Sequence, residues 1–156
     1  MASLKMELQP VGWVRSPVVE KPADGFNWRP VVSQIEIDER FAEGLDGLTD
    51  FSHIMVYWWM HQAVDKSKMA LKVYPRGRRE LPAVGVFSSR SPYRPNSLGR
   101  ATVQLLERQA NILTVRGLDA IDGTPVLDIK PFIPGYDSPA EGAVAPEWAT
   151  RHQRSV

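Results

Sequence analysis

Apolar positions recur along this chain in short runs, many with a period of two, and proline or glycine cuts each run off. Val31–Ile37 alternates at Ile35 and Ile37 with polar partners between them, the pattern of a strand with one buried face. Val11–Val14 is a short apolar stretch halted by Ser16-Pro17. His53–Met60 is rich in β-formers and apolar on both faces, which predicts a strand buried on both sides. Ala70–Tyr74 alternates and stops at Pro75, and Ala83–Phe87 is a further short run. Ala101–Leu106 and Ile112–Leu118 flank Glu107–Asn111, which reads as a hairpin loop. Val126–Lys130 closes the set after the turn Asp122–Pro125. One short helix is predicted from Asp38 to Leu45. Asp38 is its N-cap, Phe41 and Leu45 are four apart, and Gly44 stands near its end.

Short, closely spaced strands with one short helix predict a mainly β chain. A single small β-barrel is the architecture favoured, because closure removes unpaired edges; an open α+β sheet is the alternative. A length of 156 residues fits one domain, assigned to residues 1–137. Residues 138–156 are expected to form an extended tail, packed on the domain or a partner subunit and frayed from Arg151. The 43% hydrophobic and 24% charged fractions are those of a soluble globular protein. The net charge of +1 gives no global field toward nucleic acid, so such contact needs a local patch. The absence of cysteine excludes disulfides, thiolate metal sites and a thiol nucleophile. No run approaches the roughly 20 apolar residues of a membrane span. The first residues lack an apolar leader core, so a cytoplasmic location is expected.

Two segments carry unusual chemistry. In Gly85–Gly99, Pro92 and Pro95 stiffen a polar loop that presents Arg90 and Arg94, with Asn96 and Ser97 beyond them. Gly99 allows close backbone approach. Such a loop is either a solvated surface connection or a rigid seat for a carboxylate or phosphate. In Leu118–Pro131, Asp122-Gly123 is a tight-turn dipeptide and Thr124-Pro125 stiffens its exit. A plain hairpin turn accounts for this pattern. Its three aspartates match no calcium loop, so no metal is expected. Asp128 and Lys130 share one strand face and can pair. His61-Gln62 follows the aromatic strand, at a strand end of the kind that borders ligand sites in barrel mouths. Trp58 and Trp59 should point to opposite faces, either both filling the core or one filling it while the other faces a subunit interface. Arg76, Arg78 and Arg79, with Lys66, Lys68 and Lys72, form the one basic cluster; it is a solvated loop or an RNA contact. There is no Rossmann fingerprint, P-loop, nucleophile elbow or zincin motif.

These two segments together resemble the signatures of the TsaA-like (YaeB/TrmO) family. Gly85-Val-Phe-Ser-Ser-Arg-Ser-Pro-Tyr-Arg-Pro-Asn-Ser-Leu-Gly99 is similar to its first signature, with Ser97-Leu98 in place of the usual Pro-Ile. Leu118–Pro134 is similar to its second, and Gly12, Arg15–Pro17, Phe51–His53 and His61-Gln62 fit its other landmarks. The likeness runs from about residue 8 to 137 and is to the short form, without a C-terminal extension. The resemblance implies a YaeB-like β-barrel that uses S-adenosyl-L-methionine without a Rossmann fold. It implies a homodimer that methylates N6 of a threonylcarbamoyl-modified adenosine beside the tRNA anticodon. A small-molecule methyl acceptor and a non-enzymatic ligand- or nucleic-acid-binding barrel are the competing functions. By matching position, the resemblance gives cofactor contacts to His61, Gln62, Phe87, Arg90, Ser91, Arg94, Asn96, Arg100, Leu118, Asp122, Gly123, Thr124 and Pro125, with the loop 23–29 contributing. The tRNA contact falls to Arg76, Arg78 and Arg79. No residue is assigned as catalytic base.

Overall fold

β1 (Gly12–Arg15) and β2 (Val32–Ile37) pair antiparallel in the computed structural model, with Gly12 opposite Ile37 and Val14 opposite Ile35. The structure describes residues 4–63, 65–139 and 141–150. The alternation read from the sequence is the observed burial: Ser33, Ile35 and Ile37 point inward while Val32, Gln34 and Glu36 are exposed. β3 (His53–Trp59) sends Ile54, Val56 and Trp58 inward. Further along the chain come β4 (Lys72–Val73), β5 (Val84–Gly85), β6 (Leu98–Gln109), β7 (Ile112–Arg116) and β8 (Pro125–Pro131). Six strands close into a barrel in the order β1-β2-β7-β6-β3-β8, so the predicted mainly β barrel is the observed fold.

The chain forms two compact units. The first, Met1–Met69 with Pro92–Phe132, holds the barrel. Its core includes Val14, Ile35, Ile54, Val56, Leu113, Val115, Leu118 and Val126, all fully buried. Each such side chain contributes about 1.5–3 kcal/mol relative to exposure. The second unit, Ala70–Ser91 with Ile133–Val156, holds the β4–β5 ribbon and one α turn, α1 (Glu147–Thr150). α1 stands in the stretch read as extended, because Pro146 can start a helix and Glu147 opens its first turn favourably. Among the described residues, no helix is long and apolar enough to cross a membrane.

Several boundaries differ from the sequence reading, each for a local reason. The five-residue runs at 70–74 and 83–87 shrink to two-residue strands, because Pro75 and Pro82 cannot extend a ladder. Beyond Gly85 the chain coils into a 3-10 turn at Val86–Ser88. The loop read at Glu107–Asn111 is mostly strand: Glu107, Arg108 and Gln109 pair with Thr114, Leu113 and Ile112 after a bulge at Leu106. Only Ala110-Asn111 remain as a turn, with Ala110 at φ 52°. The predicted helix is a 3-10 helix over Glu39–Leu45. β3 is buried on both faces only in part. On its outer face Met55 is covered, with the Arg100 guanidinium and the Tyr57 hydroxyl against its sulfur, whereas Trp59 is 43% exposed.

Asp38 caps that 3-10 helix as its sequence position predicts, accepting from the Arg40 backbone N–H at 3.0 Å. The Arg40 side chain and this amide together hold the Asp38 carboxyl down from 3.8 to about 2. A depressed carboxylate stabilises the fold above its unfolded value and loses that effect as pH falls. The Asp38 carboxyl carbon should therefore titrate near pH 2 in NMR, and the cap should be lost between about pH 4 and pH 2. A midpoint at the ordinary aspartate value would show that the cap does not form.

Antiparallel pairing has one consequence for the site. The C-terminal ends of β1, β3 and β7 and the N-terminal ends of β2, β6 and β8 share one rim of the barrel. The connections 16–31, 60–97 and 117–124 all start or finish there.

Candidate functional site

That rim opens into a cavity of about 450 Å³ in the first unit, inside the range of roughly 300–1,000 Å³ usual for small-ligand sites. One wall is the β1–β2 connection, from Lys21 to Phe26 with Trp28. A second wall is the β7–β8 connection, with Asp119, Ala120, Ile121 and Thr124. The end of β3 supplies Trp58 and the turn 60–63, and Pro92 and Tyr93 complete the lining. The Phe26 and Trp28 rings meet edge to face, centroids 5.0 Å apart at 76°. Trp58 is almost fully buried and stands where β6 carries Gly99, its direct cross-strand partner. A Cβ at position 99 would overlap the indole, so the glycine is what lets this ring lie flat against the strand. The lining thus combines four aromatic rings, the carboxylates of Asp24 and Asp119, and the Lys21 ammonium.

The two unusual segments contribute unequally to this cavity. His61, Gln62 and Thr124 are in its lining. Gly123 takes φ 73°, as the Asp-Gly turn demands, and Pro125 starts β8 buried. The Asp122 carboxylate accepts from the Ser16 backbone N–H at 3.0 Å. Leu118 lies fully buried in the barrel core. Arg94 is half-buried and its N–H donates to the Pro92 carbonyl at 2.9 Å; Asn96 is exposed and its carbonyl accepts from Leu98 at 2.7 Å. Ser97 Oγ, itself buried, donates to the Pro92 carbonyl at 2.8 Å and fixes the bend. Arg100 projects from the outer face of β6 beside Tyr57, its cross-strand partner. Asp128 and Lys130 pair on β8 at 3.2 Å, as their shared face predicts.

The remaining residues belong to the second unit. Phe87 is 75% exposed, Arg90 is exposed, and the Ser91 N–H donates to Ser89 Oγ at 3.3 Å. The three arginines of the basic cluster have different surroundings. Arg78 Nε donates to Glu80 at 2.6 Å, and this bond holds the Glu80 carboxyl below its ordinary value. Arg79 stacks over the Tyr74 ring at 6.0 Å. Arg76 takes the left-handed region at φ 55°.

Comparison with known proteins places this barrel and its mouth in a family. The sequence profile of the tRNA-methyltransferase O N-terminal domain matches residues 15–138. The chain belongs to this TrmO N-terminal domain family. It is 45% identical over 141 residues to a Methanothermobacter thermautotrophicus protein named "Probable S-adenosyl-L-methionine-binding protein", covering 88% of this chain and 98% of that one. It is 42% identical to the S-adenosyl-L-methionine-binding protein of Archaeoglobus fulgidus, covering 85% of this chain and 93% of that one. A crystal structure of TrmO superposes with a TM-score of 0.72 at 34% identity, covering 90% of this chain. This chain spans 64% of that solved chain, under two thirds of its length.

Several rings of this pocket are marked only indirectly by the sequence. The sequence puts one of Trp58 and Trp59 in the core without saying which, and the place of Trp58 in the lining depends on the barrel closing beside Gly99. Tyr93 stands inside the quoted signature and was passed over for its arginine neighbours. Phe26 and Trp28 fall in the loop 23–29 that the resemblance includes as a whole, and their edge-to-face contact is visible only in the fold.

Proposed function

We propose that the barrel mouth binds S-adenosyl-L-methionine and that the chain is a methyltransferase whose acceptor is N6 of a threonylcarbamoyl-modified adenosine next to the tRNA anticodon. The observation that carries this reading is the composition of the cavity wall: four aromatic rings, two carboxylates and one ammonium around a nucleoside-sized space. Flat rings suit a purine and attract a neighbouring cation through their faces. Asp24 and Asp119 suit ribose hydroxyls and an ammonium, and Lys21 suits a carboxylate. Bound there, the cofactor supplies a methyl group on a sulfonium, already activated for displacement. The residues of the chain then orient donor and acceptor and keep water out, effects that can supply about 7–11 kcal/mol. The names of the archaeal relatives support the cofactor, and the family's own name supports the tRNA acceptor.

Arg94, Asn96 and Arg100 complete the cofactor site in this reading. Arg76 and Arg79 hold the anticodon arm, Arg79 with Tyr74 as a stacking surface. The chain acts as a homodimer in the cytoplasm. Support for the dimer is the cross-strand pair Trp59 and Leu98, 43% and 48% exposed on one outer face of the barrel.

Calorimetry with S-adenosyl-L-methionine should give saturable binding. Incubation with unmethylated tRNA should add one methyl to the threonylcarbamoyl nucleoside, read by nucleoside mass spectrometry. No calorimetric binding would exclude the cofactor reading. Cofactor binding without tRNA methylation would move the acceptor to a small molecule.

A further inference from the structure

The geometry points to Asp122 as a positioning residue: its carboxylate clamps the two walls of the barrel-mouth cavity together. The inference rests on that cavity being the cofactor site, but its first test does not. Both walls are irregular connections, and neither has a ladder of its own. The β1–β2 wall spans residues 16–31, long enough to wander unless it is tied. At its far end the Gly117 N–H donates to the Val31 carbonyl at 2.9 Å. At its near end the tie is Asp122. Asp122 Oδ1 accepts from the Ser16 N–H at 3.0 Å, and the Asp122 N–H donates to the Val18 carbonyl at 2.8 Å. The next residue continues the seam, the Gly123 N–H donating to the Val14 carbonyl at 2.8 Å.

Ser16 is itself braced. Its hydroxyl accepts from the Val18 N–H at 3.1 Å and contacts the hydroxyl of Ser33, which is 2% exposed on β2. Pro17 has no N–H, so Ser16 and Val18 carry the polar groups at this corner. One carboxylate therefore ties the Arg15-Ser-Pro17 corner to the Asp122–Pro125 turn. This is a physical reason for two motifs more than a hundred positions apart to occur in one protein. A carboxylate oxygen engaged by an amide of the fold acts on the ligand through the walls it holds. Ordering the wall in advance removes a cost that binding would otherwise bear.

Two variants separate clamping from direct ligand contact. Asp122→Ala removes the acceptor, whereas Asp122→Asn keeps a carbonyl oxygen for the Ser16 amide and removes the charge. Without any ligand, amide hydrogen exchange across residues 16–28 should quicken in Asp122→Ala by roughly tenfold or more and stay close to wild type in Asp122→Asn. With S-adenosyl-L-methionine, Asp122→Ala should raise Kd roughly tenfold or more, with Asp122→Asn within about threefold of wild type. Unaltered exchange in Asp122→Ala would overturn the clamp. So would an Asp122→Asn variant with protected amides that loses cofactor as severely as Asp122→Ala, because the charge would then be touching the ligand. Quickened exchange in a protein that binds no S-adenosyl-L-methionine at all would uphold the clamp and refute the cofactor reading.

Discussion

Gly99→Ala will destabilise the barrel and spoil its mouth together. The added methyl meets the Trp58 indole, and that ring has little room to retreat: it is 4% exposed and packed in the core cluster. Overpacking of this kind costs about 1–3 kcal/mol, which for a chain of this size lowers Tm by roughly 2–12 °C. Trp58 also lines the cavity, so displacing it narrows the space a ligand needs. Calorimetry should show weaker cofactor binding in the variant, and thermal unfolding should show the loss of stability. Gly85→Ala is the control, because a Cβ there meets nothing within 4 Å. A Gly99→Ala protein with wild-type Tm and affinity would show that the indole does not lie against that strand.

Phe26→Ala with Trp28→Ala should have the opposite profile: a large loss of binding and little loss of stability. Phe26 is 43% exposed and neither ring belongs to the core cluster. Stacking of a base on an aromatic side chain is worth about 1–3 kcal/mol per ring. Removing both should weaken S-adenosyl-L-methionine binding by about 100-fold or more if each ring contacts the cofactor. Thermal unfolding of the double variant should stay within about 2 °C of wild type, as for surface substitutions of under about 0.5 kcal/mol. Affinity close to wild type would remove this wall from the binding site. A collapse of Tm instead would mean that the rings hold the loop rather than a ligand.

The barrel was legible because its strands announce themselves through alternation: Ile35 and Ile37 inward with Glu36 outward is one residue pattern and one burial pattern. Where alternation fails, so does the reading. Glu107–Gln109 look like a polar loop because all three side chains are polar, yet their backbone pairs with β7 across a bulge that local sequence does not mark. The helix reading found the right cap at Asp38 but not the tighter 3-10 winding, since seven residues with Gly44 among them lack the length that favours α geometry. The site divides in the same way. Residues next to strand ends, such as His61 and Thr124, follow from the barrel's topology. Asp122 is legible as a turn residue and a cofactor contact, whereas its hydrogen bond to a backbone amide far back along the chain is visible only in the fold.

The six-strand order leaves the opposite rim with different freedom. There the chain reverses through residues 38–52 and through Ala110-Asn111, and none of these positions lines the mouth cavity. A reporter dye or an affinity handle grafted onto Ala110 would ride on the barrel rim away from the cavity. It could follow unfolding or capture the protein on a surface while leaving the pocket open to solution.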